Sequence, residues 1–191
     1  MVVIDTHCLN VLEIMNKVIL VGPSKTLLKN KLGKTIDSYD VVCRMNTSGR
    51  PILLNGEYKE IIGSKKDIWL CTHIGLLNMY KNNGYKKIVP FGQDSALTKK
   101  YFKILNEFNG FNRRPTCGIL SILYLIDIYK KIDACAMDGF KGSHWYGDMF
   151  NKNLKQSDEM AAKGYGAHNI LMEIEYIKYL IKENKLNMID E

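Results

Sequence analysis

The chain of 191 residues is long enough to form one domain with a substantial hydrophobic core. Its hydrophobic fraction of 46% and charged fraction of 25% exclude a disordered or fibrous protein, and since no run of about 18 apolar residues occurs, we expect no membrane span. The formal net charge of +7 favours an anionic partner, such as a nucleotide, an acidic sugar, nucleic acid or an anionic membrane surface.

Six short apolar runs predict the strands of a sheet. The first, at residues 18–21, leads into Gly22-Pro23-Ser24, as a buried strand does before a turn and a helix. The others lie at residues 39–45, 67–71, 87–90, 132–137 and 186–189.

Helical periods separate these strands. Ser24 is placed to cap a helix whose apolar side carries Leu27, Leu28 and Leu32, and Gly33 is placed to end it. Further helices are predicted at residues 76–80, 97–108, 118–130 and 169–183. The last of them carries one apolar stripe made of Ile170, Ile174, Ile177 and Ile181.

This alternation predicts a single α/β domain over residues 1–191, with a Rossmann-like, mostly parallel sheet flanked by helices. Ligands of such sheets bind beyond the carboxyl ends of the strands. Gly22, Asn46, Thr72 and Gly139 each follow a predicted strand, so we expect several of them to share one crevice. Residues 138–166 show little periodicity, which is typical of a functional loop.

The five cysteines are odd in number and show no C-x-x-C spacing. Cys43, Cys71 and Cys135 lie in apolar runs, and we expect them to be buried free thiols. His7 and Cys8 lack a second group of ligands, so no metal site is expected. The amino terminus lacks the segments of a signal peptide, and together these features predict a cytoplasmic protein.

Two familiar nucleotide-binding patterns are excluded. Gly33-Lys34-Thr35 ends like a phosphate-binding loop, but Leu28 stands where that loop needs its first glycine. A dinucleotide fingerprint fails as well, because no further glycine follows Gly22 at the required spacing. What remains is a strand ending in Gly22-Pro23-Ser24 and a helix beginning Thr116-Cys117-Gly118, both of which are expected to present backbone N–H groups to an anion.

Four motifs, in order along the chain, resemble those of the sialyltransferase family. The family's long motif is matched by residues 18–46, through Ile36-Asp37-Ser38-Tyr39-Asp40 and Arg44-Met45-Asn46. Its short motif is matched by Pro115-Thr116-Cys117-Gly118 with Asp138-Gly139-Phe140. His144-Trp145-Tyr146 is similar to the third motif, and His168 with Glu173 is similar to the very short one.

The chain departs from the family pattern at several positions. Pro23 replaces the family's asparagine, and Gly147 displaces the acid of the third motif to Asp148. Val18 and Tyr129 stand where secreted relatives carry a cysteine pair, so that disulfide cannot form. These departures favour a minimal, anchorless member of the family.

The resemblance implies an inverting glycosyltransferase of a variant GT-A fold. It would move an acidic sugar, sialic acid or Kdo, from a CMP-activated donor to a hydroxyl of a glycan or other acceptor, with no cofactor and no required metal. The sequence lacks an Asp-x-Asp motif, which agrees with metal independence. No stable nucleic-acid partner is expected for such an enzyme, and the oligomeric state is left open.

The resemblance also implies roles for individual residues. His168 would be the general base and His144 would stabilise the departing phosphate. The donor would be held by residues of the long and short motifs: Gly22, Ser24, Asn46, Thr116, Cys117 and Gly118. Glu173 lies about 140° around a helix from His168, which predicts a structural role and not a direct pair. Arg44 would either hold the end of the sheet or attract the donor.

Two other functions stay open at this point. One is a nucleotide-binding or nucleic-acid-binding module without catalytic activity, which the basic charge would suit. The other is a different Rossmann-type transferase, such as a methyltransferase, although Asn46 stands where that class has an acidic ribose ligand.

Overall fold

A computed structural model describes residues 16–50, 54, 56, 58–72, 84–137 and 168–189. Within these ranges the chain forms a six-stranded sheet in the order β4-β3-β2-β1-β5-β6, and every neighbouring pair is parallel. The strands are β1 (Val18–Val21), β2 (Val41–Met45), β3 (Ile68–Cys71), β4 (Lys87–Pro90), β5 (Ile132–Cys135) and β6 (Leu186–Met188).

Helices cover both faces of this sheet. They are α1 (Thr26–Asn30), α2 (Gly33–Asp37), α3 (Lys59–Ile62), α4 (Ala96–Asn109), α5 (Cys117–Tyr129) and α6 (Ile170–Lys182). One apolar cluster packs α4, α5 and α6 on one face, and a second packs α1, α2 and α3 on the other. A sheet buried on both faces needs apolar residues at successive positions, which is why the strands are continuous apolar runs. The predicted α/β class with a mostly parallel sheet is thus confirmed.

The order of the strands places a crevice beside β1. Strands β2 to β4 extend from one side of β1, whereas β5 and β6 extend from the other side. The connections that follow β1 and β5 therefore pass over opposite faces of the sheet. A crevice is left between the carboxyl ends of these two strands. Open parallel sheets bind their ligands at such a switch point.

The predicted strands are confirmed, with small shifts that have local causes. β2 begins at Val41 and not at 39, because the turn after α2 continues through Tyr39, whose N–H donates to the Ile36 carbonyl. β5 ends at Cys135 and not at 137, because Ala136 has a φ of 56° and turns the chain out of the sheet.

The expectation that Gly33 ends the first helix is wrong. That helix ends at Asn30, and Lys31 takes the left-handed conformation that closes it, with a φ of 46°. Gly33 instead begins α2, where a Cβ atom would lie 2.4 Å from the Glu60 carbonyl oxygen. Close packing of α2 against α3 is the reason for a glycine here.

The apolar stripe expected on α6 is confirmed only in part, since Ile170 is buried and Ile177 packs against the core. The buried residues of this helix are Ile170, Glu173, Tyr176 and Leu180, whereas Ile181 is 41% exposed. Because the Glu173 carboxylate is buried, the face of α6 that packs against the core differs in part from the face that carries the isoleucines. The partner of that carboxylate is part of the candidate site.

Gly22 has a packing role that makes it a sensitive position. A Cβ atom there would lie 2.1 Å from the Ala136 carbonyl oxygen. We expect Gly22→Ala to lower the free energy of unfolding by at least about 2 kcal/mol, measured by urea denaturation, because backbone has to move. Gly118→Ala is the control, since its Cβ atom would meet the flexible end of Met137, at 3.0 Å, and Thr116 Oγ1 at an ordinary contact distance of 3.5 Å. This substitution should change stability by less than about 1 kcal/mol. Equal effects of the two substitutions would contradict this account.

Some predictions fall outside the described residues. They are the helix at residues 76–80, the loop at residues 138–166, and His144 with the rest of the third motif.

Candidate active site

The carboxyl edge of the sheet brings together the residues that follow β1, β2 and β3. Asn46 and Thr72 are in direct contact, since the Asn46 Oδ1 atom accepts hydrogen bonds from Thr72 N at 2.9 Å and from Thr72 Oγ1 at 3.1 Å. The Trp69 Nε1 atom donates to the Asn46 carbonyl at 2.9 Å. Asn46 has a φ of 40°, a conformation that asparagine tolerates better than most residues. Because its carboxamide oxygen is engaged, the N–H groups of its side chain are the part that can reach a ligand.

The turn after β1 does not present its backbone as expected. The N–H of Gly22 donates to the Cys135 carbonyl at 2.9 Å, and the N–H of Ser24 donates to the Ala136 carbonyl at 3.1 Å. Both donors therefore join β1 to the end of β5 and are not available to an anion. The expectation that Ser24 caps the following helix is corrected by one residue: the N-cap is Lys25, and the Ser24 Oγ accepts a hydrogen bond from Thr26 N at 3.2 Å.

The first residues of α5 lie over the carboxyl ends of β3 and β5. Thr116 caps the helix by accepting a hydrogen bond from Ile119 N at 3.2 Å. The Cys117 thiol lies 3.6 Å from the Leu70 carbonyl of β3. Gly118 lies against Met137, which follows β5. The long-motif and short-motif residues thus meet at one edge of the sheet.

Glu173 occupies part of this helix terminus. Its carboxylate accepts hydrogen bonds from Thr116 N at 2.8 Å and from Thr116 Oγ1 at 2.5 Å, and the side chain is buried. The N–H of Thr116 is consequently not available to a nucleotide, which corrects the expectation for that residue's backbone. Burial raises the pKa of Glu173 from 4.5 to about 7, although the two hydrogen bonds to Thr116 oppose this shift.

Cys117 and Gly118 supply the remaining donors of the α5 terminus. Among the residues that the structure describes, their backbone N–H groups have no hydrogen-bond partner. Burial raises the pKa of the Cys117 thiol to about 12, so it is not a nucleophile at neutral pH. The helix dipole and these two N–H groups together favour an anion at this point.

His168 lies immediately before α6 and faces the same segment. Its Nδ1 atom lies 2.7 Å from the carbonyl oxygen of Arg114. A carbonyl oxygen only accepts, so Nδ1 carries a proton, and in the neutral ring the lone pair is on Nε2. This tautomer is the one that a general base requires.

His168 and Glu173 do not pair with each other, as the spacing along the helix predicts. Each instead holds a different part of the segment before α5, His168 at Arg114 and Glu173 at Thr116. The two residues of the very short motif, five positions apart, therefore join the start of α6 to the start of α5 at two points. Sequence reasoning missed the Arg114 contact, because a backbone carbonyl leaves no signal in the sequence.

The alternatives for Arg44 are resolved by its contacts. The guanidinium is buried and donates to the Ile62 carbonyl at 2.6 Å and to the Lys65 carbonyl at 3.2 and 3.0 Å. It therefore ties β2 to the segment between α3 and β3. We expect Arg44→Met to lower the free energy of unfolding by about 3 kcal/mol in chemical denaturation, because the buried Ile62 carbonyl and the partly buried Lys65 carbonyl lose their donors. Unchanged stability would contradict a structural role.

One cavity lies away from this edge. It has a volume of about 430 Å³ and is lined by residues of α2 and α3, with no predicted site residue among them: Gly33, Lys34, Asp37, Ser38, Lys59 and Glu60. Asp37 already accepts hydrogen bonds from Ser64 N and Lys65 N there. This cavity is a space between surface helices and does not compete with the candidate site.

The described residues include no group of three or more His, Cys, Asp or Glu side chains that suits a metal ion. No helix within the described ranges has the length and apolar character needed to cross a membrane. The cysteines that the structure describes, Cys43, Cys71, Cys117 and Cys135, are all buried free thiols, which confirms the expectation for three of them.

Comparison with known proteins finds one matching family model. Residues 13–106 match the model of glycosyltransferase family 29, the sialyltransferases. Over these residues, just under half of the chain, the sequence is similar to the sialyltransferases. No curated protein sequence matches it. The matched range contains Gly22, Ser24 and Asn46 of the long motif, whereas the short and very short motifs lie beyond it.

Two solved sialyltransferase structures resemble the chain in fold. Both are of a mammalian sialyltransferase, one alone and one in complex with Gal-beta-1-3GalNAc-ortho-nitrophenol. For each, the TM-score is 0.63 at 19% sequence identity, over 92% of this chain and 69% of the other. At this identity the likeness concerns the fold, and it extends past the range that the family model matches.

Proposed function

We propose that the protein is an inverting sialyltransferase-like enzyme that moves an acidic sugar from a CMP-activated donor to an acceptor hydroxyl. The match to the sialyltransferase family model and the parallel sheet support a glycosyltransferase. The donor, CMP-linked sialic acid or Kdo, and a glycan acceptor are proposed because the motifs of the chain resemble those of sialyltransferases. A variant GT-A fold belongs to the same proposal.

The observation that carries the proposal is the hydrogen bond between His168 Nδ1 and the Arg114 carbonyl. It leaves Nε2 as a proton acceptor beside the start of α5. In the proposed reaction, Nε2 takes the proton from the acceptor hydroxyl as the oxygen attacks the anomeric carbon. The bond from that carbon to the CMP phosphate breaks on the opposite side, which inverts the configuration.

The departing CMP phosphate gains negative charge as the bond breaks. The N–H groups of Cys117 and Gly118 at the start of α5 are the donors proposed to stabilise it, together with His144, which lies outside the described residues. The Asn46 side chain is proposed to bind the nucleotide from the end of β2. No metal is required in this scheme, in agreement with the lack of an Asp-x-Asp motif.

The cellular compartment is part of the proposal. Four buried free thiols, at positions 43, 71, 117 and 135, suit a reducing compartment, and we propose that the enzyme works in the cytoplasm.

The test has two stages on the full chain. In the first, CMP is expected to raise the melting temperature while UMP at the same concentration has a smaller effect. In the second, CMP-linked sialic acid and CMP-linked Kdo are supplied, and release of CMP is measured with and without glycan acceptors. Failure of CMP to bind at millimolar concentration would contradict the proposal. Binding without release from either donor would favour a nucleotide-binding module that has lost its catalytic activity.

A further inference from the structure

The amino ends of the parallel strands meet at the edge opposite the candidate site, which we call the amino edge. Lysines precede or begin five of the six strands at this edge. Six of them are exposed, and they are Lys17 before β1, Lys86 and Lys87 at β4, Lys130 and Lys131 before β5, and Lys185 before β6. Lys65 and Lys66, which lie before β3, are half-buried. At a strand spacing of about 4.8 Å, the lysines form a band about 24 Å long.

The carboxylates at the amino edge offset only part of this charge. Asp67 is buried and pairs with Lys86 at 2.7 Å, while Asp127 pairs with Lys100 at 2.6 Å. Asp133 accepts hydrogen bonds from Tyr39 Oη at 2.6 Å and from Asn187 Nδ2 at 3.1 Å. The other two are exposed: Asp40 and Glu183. Among the described residues, Lys86 is the one lysine of the band that is ion-paired with a carboxylate.

Two exposed isoleucines lie at the same edge. Ile128 is 45% exposed in the last turn of α5, two residues before Lys130, and Ile181 is 41% exposed in the last turn of α6, beside Lys182. Both helices end at the amino edge because each leads into the start of a strand. The lysine band is therefore accompanied by apolar side chains that face water.

We propose that the amino edge docks on an anionic membrane surface. Lysine ammonium groups are attracted to acidic headgroups, and exposed isoleucines gain by entering the interfacial region, a combination typical of peripheral membrane binding. Binding to nucleic acid would use the lysines alone and would leave Ile128 and Ile181 in water. In the docked orientation the carboxyl edge, with the candidate site, stays open to solvent. The proposal is independent of the transferase reaction.

The test is co-sedimentation of the full chain with vesicles of phosphatidylcholine containing about 30 mol % phosphatidylserine, compared with phosphatidylcholine alone. The test variant is Lys17→Gln/Lys87→Gln/Lys185→Gln, whose positions span the band from β4 to β6. Its control is Lys29→Gln/Lys34→Gln/Lys178→Gln, which removes the same charge from exposed helix positions. A thermal melt of each variant shows that it is folded.

We expect binding to acidic vesicles that weakens with salt, and a loss of about 100-fold in the test variant against less than about fivefold in the control. Ile128→Ser/Ile181→Ser should weaken vesicle binding and leave binding to a soluble DNA duplex unchanged. The proposal is overturned if acidic and neutral vesicles bind alike, if the two lysine variants lose affinity equally, or if the DNA duplex binds while acidic vesicles do not.

Discussion

His168→Asn is expected to lower the rate of sugar transfer by about 10²- to 10⁴-fold while CMP binds with unchanged affinity. The amide nitrogen of asparagine can take the place of the histidine Nδ1 atom and keep the hydrogen bond to the Arg114 carbonyl. It has no counterpart to Nε2, so the variant removes the proton acceptor and spares the fold. Rates from a coupled assay of CMP release, together with calorimetric titration of CMP, measure both quantities.

His168→Ala is the companion variant, since it removes the base and the Arg114 contact together. If the Arg114 contact only positions the ring, the alanine variant should lose as much activity as the asparagine variant and should also be less stable, by about 1 kcal/mol. Transfer that continues at the wild-type rate in His168→Asn would remove His168 from the catalytic role.

Glu173→Ala is expected to lower the free energy of unfolding by about 3 kcal/mol. The substitution leaves the N–H and the hydroxyl of Thr116 without their acceptor in a buried position and creates a cavity between α5 and α6. Thr116→Val and the double variant complete a thermodynamic cycle, in which a coupling free energy of at least about 1 kcal/mol is expected. Additive effects would mean that the two side chains do not interact in solution.

The same pair predicts a dependence of stability on pH. The pKa of Glu173 is raised from 4.5 to about 7 in the fold, so the folded protein binds this proton more tightly than the unfolded chain does. The contribution of this bound proton to the free energy of unfolding is fully present below pH 4.5 and is lost as pH rises towards 7.

Glu173→Gln isolates this effect because it cannot ionise. Relative to that variant, the wild type should lose about 1.4 kcal/mol of stability for each pH unit between about 5 and 7. Urea denaturation of both proteins at several pH values measures the difference. A difference that stays constant over this range would contradict the raised pKa.

The sequence is most informative about features that depend on local patterns. Runs such as Val18–Val21 predict buried strands because a sheet covered on both faces needs apolar residues at successive positions. Gly110 ends α4 as predicted, with a φ of 73°. The positions of Asn46 and Thr72 at one edge follow from the rule that parallel strands share their carboxyl ends, and the structure confirms it.

Features that depend on distant contacts were not predictable. The isoleucines of α6 favour one face of the helix, but the hydrogen bonds of Glu173 to Thr116, 57 residues away, select another. The N–H groups of Gly22 and Ser24 are engaged by carbonyls at the end of β5, which no motif indicates. Of the backbone donors predicted for the site, those of Cys117 and Gly118 are the ones without a partner among the described residues.

Titration of the protein with CMP, followed by backbone amide chemical shifts, tests the central claim most directly. We expect CMP to shift the amide signals at the carboxyl edge, those of Asn46, Thr72, Cys117 and Gly118, more than signals elsewhere in the described residues. Shifts confined to the cavity between α2 and α3, at Gly33 and Lys59, or no shifts at millimolar CMP, would contradict it.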